Sequence, residues 1–148
     1  MVRVLVLDDE VDALLGYLTA RLEEDGHAVS SFPTLAEALE AIEDGAFDVA
    51  VIDIMFPIRE EDDRAYRKLS GRNPRGIEDA LKAGIALIKN IASKPVYVVT
   101  HYTRMTAKGR EVWTALDEMK DLGRITCAWE KPPPDEFYEA IKSHGAGA

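Results

Sequence analysis

The chain has 148 residues and a mass of 16.4 kDa, which suits one domain with a substantial core and is too short for two full domains. Its net charge of −9 argues against direct binding to nucleic acid or insertion into an anionic membrane, because phosphates would be repelled. The one cysteine, Cys127, excludes an internal disulfide, and the absence of a long apolar run or a secretory signal predicts a cytoplasmic protein.

Two hydrophobic periods alternate along the chain, one typical of buried strands and the other of helices. The capping pair Thr34 and Glu37 and the glycines that follow the apolar runs mark helix boundaries. In chain order, the predicted elements are a strand at 2–7, a helix from Val11 to Leu22, a strand at 27–32, a helix from Thr34 to Gly45, a strand at 47–52, a helix from Ile77 to Ile91, a strand at 95–100, a helix at 106–122, a strand at 124–129 and a short helix from about Asp135.

The segment at 58–76 interrupts this pattern. It has no long apolar period, and it holds six basic and four acidic residues in a chain that is otherwise strongly acidic. We expect a surface loop here with one helical turn around Ala65 to Leu69. Its basic residues suit either folding onto the acidic body or recruiting an acidic partner, as a lid or docking element.

Strands that alternate with helices predict an α/β fold with a parallel sheet and helices on both faces. Four of the predicted strands end in polar residues, which would meet at one edge of the sheet where such folds bind ligands. In strand order these residues are Asp8, Asp9 and Glu10; Asp53; Thr100; and Lys131.

Each of these residues taken alone is more typical of an ordinary turn, strand end or solvated surface. Their joint placement is what favours a site. Converging carboxylates repel one another, and a divalent cation such as Mg²⁺, which prefers hard oxygen ligands, relieves that repulsion. A hydroxyl and an ammonium group beside the cation suit a phosphoryl group.

In these motifs the sequence resembles the receiver domain of two-component response regulators. The matching pieces are LVLDDE at 5–10, VIDIMFP at 51–57, VVT at 98–100 and EKP at 130–132. The resemblance implies one receiver domain over 1–148, with a flavodoxin-like, doubly wound, five-stranded sheet in the order 2-1-3-4-5 and an atypical insertion at about 58–76 between strand 3 and helix 3.

The resemblance also implies residue roles. Asp53 matches the phosphoacceptor, Thr100 the switch hydroxyl, and Lys131 the ammonium that contacts the phosphoryl group. Ligands for Mg²⁺ would be Asp8, Asp9, Asp53 and the backbone carbonyl of Met55. The donor would be a histidine kinase or a phosphotransfer protein, and the result would be a switched surface near the 106–122 helix, the fifth strand and the last helix, read by an unknown downstream protein.

Two positions depart from the family pattern. The switch aromatic of the family corresponds to Ala128, and the neighbouring Trp129 should point to the opposite face of its strand. His101 follows Thr100 where a small residue is usual, and its bulk predicts slow hydrolysis of the phosphoryl group. The other histidines, His27 and His144, are interpreted as incidental.

Two alternatives to a phosphoacceptor remain open. A receiver-like module that acts by protein contact without phosphorylation is favoured by Ala128 and the insertion, whereas the acidic set with Thr100 and Lys131 argues against it. A small metal-dependent phosphatase is disfavoured because Met55 stands where haloacid-type phosphatases have a second aspartate. The chain is therefore expected to be a signalling domain rather than an enzyme that turns over a substrate.

Overall fold

A computed structural model describes residues 1–7, 13–32, 34–54, 63–70, 84–91, 94–130 and 133–144. The strands are β1 (Arg3–Leu7), β2 (Ala28–Phe32), β3 (Val49–Ile52), β4 (Val96–Thr100) and β5 (Cys127–Glu130). The helices are α1 (Ala13–Glu24), α2 (Leu35–Asp44), α3 (Asp63–Ser70), α4 (residues 84–89), α5 (Ala107–Asp121) and α6 (Asp135–Ser143).

The five strands form one parallel sheet in the order β2-β1-β3-β4-β5. The fold class and the strand order predicted from the sequence are confirmed. Strands β3 and β4 are buried along their whole length, since they lie in the middle of the sheet with helices over both faces.

Alternating side chains of the strands feed two separate cores. The first core joins residues such as Leu5, Ile52 and Val98 to helices α2, α3, α4 and α5. The second core joins the strand residues of opposite parity, such as Val51 and Val99, to α1 and α6. The period of two along a strand therefore assigns each side chain to one layer of helices.

Helix boundaries follow the capping signals where the sequence has them. Thr34 caps α2 by accepting a hydrogen bond from the Glu37 backbone N–H at 3.2 Å, and Gly45 ends the helix in the left-handed region at φ 74°. Thr106 caps α5 in the same way through the Gly109 N–H. The Thr106 cap sets the start of α5 and therefore the end of the loop that follows Thr100.

The prediction for the insertion was wrong in part. Residues Asp63–Ser70 form a helix of two turns rather than one turn in a loop. Ala65 is buried in the first core, and Lys68 forms an ion pair with Glu43 of α2. Packing against α2 stabilises a helix whose own sequence is polar, so the described part of the segment folds onto the acidic body.

The last strand was also predicted too early. Strand β5 spans Cys127–Glu130, not 124–129. The chain leaves α5 through Gly123, which is in the left-handed region at φ 72°, and the paired register with β4 starts at Cys127. Of the predicted helix from Ile77 to Ile91, the described residues are helical at 84–89, and residues 71–83 lie outside the description.

No helix within the described ranges is long and apolar enough to cross a membrane.

Candidate functional site

Asp53 directly follows β3 at the carboxyl edge of the sheet, the edge at which all five parallel strands end. Its backbone N–H donates to the Leu7 carbonyl at 3.0 Å and so extends the pairing of β3 with β1. The residue is only 8% exposed and lies between two fully buried isoleucines, Ile52 and Ile54. A carboxylate in such a place costs free energy unless it has partners, so it is not an ordinary solvated turn residue.

Thr100 is the last residue of β4 and is fully buried. Its Oγ1 accepts a hydrogen bond from the Tyr102 backbone N–H at 3.2 Å. Strands β3 and β4 are parallel neighbours, so Asp53 and Thr100 leave adjacent strands at the same edge. Asp53 and Thr100 are the only buried polar or charged residues in the part of the chain that the structure describes.

The other predicted site residues, Asp8, Asp9, Met55 and Lys131, lie outside the described residues, and their roles stay predictions. The described strands that precede them do end at the carboxyl edge, β1 at Leu7 and β5 at Glu130.

The predicted Mg²⁺ site can be compared with the described residues only in part. The Asp53 carboxylate is chemically of the kind that Mg²⁺ prefers, and its role as a ligand stays a prediction. Among the described residues, no group of three or more His, Cys, Asp or Glu side chains could hold a metal. A magnesium site at this edge would therefore depend on the carboxylates that follow β1.

The loop at 101–106 connects Thr100 to α5 and is held by side chains of that helix. Trp113 Nε1 donates to the Tyr102 carbonyl at 2.7 Å. Arg104 forms two hydrogen bonds to Asp117, at 2.7 and 2.8 Å, and its guanidinium lies 4.5 Å from the centre of the Trp113 ring. We call Trp113, Arg104 and Asp117 the loop clamp.

The sequence analysis missed the loop clamp, since it predicted a helix at 106–122 without any contact between that helix and the loop before it. One local signal was available, since Trp113 and Asp117 are four residues apart and therefore share a face of α5. Hydrogen bonding to Arg104 lowers the pKa of Asp117, which favours the charged pair.

Strand β5 sends its two neighbouring residues to opposite faces, as predicted. Ala128 packs against the first core, on the side of α5, whereas Trp129 packs in the second core. The Trp129 ring stacks on Tyr97, with centroids 5.8 Å apart, and meets Phe137 edge-on at 5.3 Å. Trp129 therefore does not take the place of an aromatic residue at Ala128.

The interpretation of two histidines as incidental was wrong. His27 Nδ1 accepts a hydrogen bond from the Val2 backbone N–H at 3.1 Å. His144 Nε2 lies 2.5 Å from the Tyr97 hydroxyl and joins the aromatic cluster under α6. His101 is exposed and directly follows Thr100, and its predicted effect on hydrolysis stays a prediction.

No protein-family model matches the chain, and no curated protein matches it. Several solved structures, however, match the chain. A response regulator receiver domain protein from Clostridium thermocellum is 20% identical, with a TM-score of 0.63 over 97% of this chain and 94% of that one. The chain has the fold of a response regulator receiver domain.

Two further structures show how widely the receiver fold is matched. A CheY-like receiver domain protein from Methanospirillum hungatei JF-1 is 18% identical, with a TM-score of 0.62, and the match covers 100% of this chain and 99% of that one. RcsB from Salmonella enterica serovar Typhimurium, solved on promoter DNA with the phosphomimetic BeF3⁻, is 17% identical, with a TM-score of 0.64 and coverage of 100% and 63%. At these identities the shared property is the receiver fold.

Proposed function

We propose that this chain is a receiver that accepts a phosphoryl group on Asp53. The observation that carries the proposal is a buried carboxylate at the end of the central strand of a receiver fold, with the Thr100 hydroxyl on the adjacent strand. Burying a carboxylate and a hydroxyl at adjacent strand ends costs free energy that their partners must offset, and buried ionisable groups of this kind are concentrated at functional sites.

The proposed reaction is a direct transfer from a phosphohistidine. A carboxylate oxygen of Asp53 attacks phosphorus, the new O–P bond forms as the P–N bond breaks, and the electron pair of that bond leaves with the imidazole nitrogen of the donor. The product is an acyl phosphate. The donor is a histidine kinase or a phosphotransfer protein, and both would meet this chain in the cytoplasm.

Charge is the main obstacle to this transfer, because an anionic phosphoryl group must approach an anionic carboxylate. Mg²⁺ would be held by Asp53 together with Asp8, Asp9 and the Met55 carbonyl, and would supply charge neutralisation at the phosphoryl oxygens. Lys131 would add a further positive charge, and the Thr100 hydroxyl would donate a hydrogen bond to a phosphoryl oxygen of the product.

The proposed output is a change in a protein-interaction surface rather than turnover of a substrate. Phosphorylation replaces the single negative charge of the Asp53 carboxylate with an acyl phosphate that carries close to two, and gives Thr100 a new acceptor. The loop at 101–106 would then shift, and a downstream protein would read the change. The net charge of −9 disfavours nucleic acid as the direct partner.

Phosphorylation of the purified protein tests this function. With acetyl phosphate and Mg²⁺, or with a phosphorylated histidine kinase, we expect one slowly migrating band in a phosphate-affinity gel and its complete absence in Asp53→Asn. The matched control is Asp48→Asn, which changes a carboxylate at the other end of the same strand and should leave the band intact. Equal labelling of native protein and Asp53→Asn would refute the assignment.

The second candidate is a receiver-like module that signals by protein contact alone. Ala128 favours it, since this residue packs on the α5 side of the sheet with only a methyl group where the family has its switch aromatic. This candidate predicts no band and no spectroscopic response to beryllofluoride with Mg²⁺ in the native protein.

A further inference from the structure

Two hydrogen bonds in series connect the Thr100 hydroxyl to helix α5. The Tyr102 backbone N–H donates to Thr100 Oγ1 at 3.2 Å, and the Tyr102 carbonyl accepts from Trp113 Nε1 at 2.7 Å. Both bonds are made by the backbone of one residue, Tyr102. The Thr100 hydroxyl and the Trp113 indole are therefore connected through two hydrogen bonds to the Tyr102 backbone.

Trp113 is well placed to pass on a displacement of the Thr100 hydroxyl because it is itself held firmly. Its side chain is buried in the first core, where the indole is surrounded by packed residues. On its outer side lies the Arg104 guanidinium, which is fixed by two hydrogen bonds to Asp117 of the same helix. A bidentate pair of this kind restrains orientation as well as distance.

The backbone of the loop also presses directly on α5. A Cβ atom added at Gly109, in the first turn of the helix, would lie 1.6 Å from the Thr103 carbonyl oxygen. The loop and the helix thus approach more closely than any side chain at this position would permit. Together with the loop clamp, this contact ties residues 101–106 to α5 at several points.

Strand β5 supplies no aromatic side chain on this side of the sheet. Ala128 carries a methyl group there, and Trp129 belongs to the second core on the opposite face. We propose that Trp113 is a positioning residue: through Tyr102 it holds the Thr100 hydroxyl in the unphosphorylated protein and transmits its displacement to α5. This inference rests on the proposed function of Asp53.

The proposed transmission uses the two hydrogen bonds at Tyr102 and the loop clamp. When the Thr100 hydroxyl turns toward a phosphoryl group on Asp53, the Tyr102 N–H loses its acceptor. The backbone on both sides of the Tyr102 Cα then reorients, and the movement of the Tyr102 carbonyl shifts the indole that donates to it. Because α5 carries the indole and is clamped to the loop, the helix shifts with it.

The chain holds two tryptophans, so one substitution isolates the signal. In Trp129→Phe, the remaining fluorescence comes from Trp113. We expect beryllofluoride with Mg²⁺ to shift the emission of this variant, and the Asp53→Asn/Trp129→Phe protein to show no shift. In Trp113→Phe, which reports from Trp129 in the other core, the emission should stay unchanged.

Hydrogen exchange measured by mass spectrometry separates transmission from packing. In native protein and Trp129→Phe, phosphorylation by acetyl phosphate should change amide exchange in both 101–106 and 107–121. In Trp113→Phe, which keeps an aromatic ring and loses the N–H donor, we expect phosphorylation of Asp53 to persist and the exchange change in α5 to be lost. A merely structural role would leave that response intact.

The outcomes distinguish the two proposals. A phosphorylated Trp129→Phe protein whose emission does not shift would overturn the role of Trp113 and leave the phosphoacceptor standing. An α5 exchange response that survives in Trp113→Phe would do the same. If the native protein is not phosphorylated, both proposals fall. Should Trp113→Phe fail to fold, the Trp129→Phe emission still decides, since it leaves the indole in place.

Discussion

The two edges of the sheet use polar residues in opposite ways. At the amino edge, where the strands begin, polar side chains are partly exposed and paired. Arg3 and Asp48 meet at 3.1 Å with side chains 49% and 39% exposed, and Lys94 donates to the carbonyls of Gly45 and Phe47 at 2.6 Å each. At the carboxyl edge, Asp53 and Thr100 are buried among apolar residues.

The polar residues at the two edges therefore differ in their environment and in what they contribute. The amino-edge contacts tie incoming chain segments together, and each is weak because water screens it. At the carboxyl edge the buried groups are tied to the fold by hydrogen bonds: Thr100 Oγ1 accepts from the Tyr102 backbone N–H, and the Asp53 N–H extends the pairing of β3 with β1.

The tightest constraint lies in the loop contact at the carboxyl edge. Gly109→Ala places a Cβ 1.6 Å from the Thr103 oxygen, so the loop or the helix must shift, and we expect a loss of about 1–3 kcal/mol in the free energy of unfolding. Chemical denaturation measures the loss.

Gly16→Ala, in α1, is the matched control. A Cβ there would meet nothing within 4 Å, and the change should stabilise the helix by about 0.5–1 kcal/mol. If both variants are equally stable, the close approach of loop and helix at Gly109 is contradicted.

The Thr100 hydroxyl should contribute less than the loop contact. Thr100→Val has a similar shape but leaves the Tyr102 N–H without its acceptor, so we expect a loss of about 1 kcal/mol. Thr100→Ser keeps the oxygen and should retain the hydrogen bond. A valine variant as stable as native protein, with an unchanged amide exchange rate at Tyr102, would show that the hydrogen bond does not restrain the loop.

The ion pair between Arg3 and Asp48 at the amino edge should contribute least to the free energy of unfolding, and only when the Asp48 carboxylate is ionised. Hydrogen bonds from the side chain and backbone of Arg3 lower the pKa of Asp48, so its stabilisation is present above the pKa of the unfolded chain, about 3.9, and is lost as pH falls through the folded value. At pH 7, Asp48→Asn should cost less than about 1 kcal/mol, because the pair is half exposed.

Denaturation curves from pH 7 down to pH 3 test this sign. The difference between native protein and Asp48→Asn should shrink as pH falls. A difference that grows toward low pH would contradict the assignment of the stabilisation to the ionised carboxylate.

The sequence alone determined the order of strands and helices, because hydrophobic period and capping residues are local properties. It also placed Asp53 and Thr100 at strand ends, since a strand that is apolar on both faces ends visibly at its first polar residues. The parallel sheet follows from the alternation, and the predicted order of its strands is confirmed.

Only the tertiary structure decided three other features. The sequence predicted one helical turn around Ala65 to Leu69, and burial of Ala65 against the first core extends it to the two turns of α3. The indole of Trp113 reaches a carbonyl eleven residues away, because the loop turns back over α5. Strand β5 begins at Cys127 because its pairing with β4 starts there, opposite Tyr97. Each of these depends on contacts between segments, which no local pattern encodes.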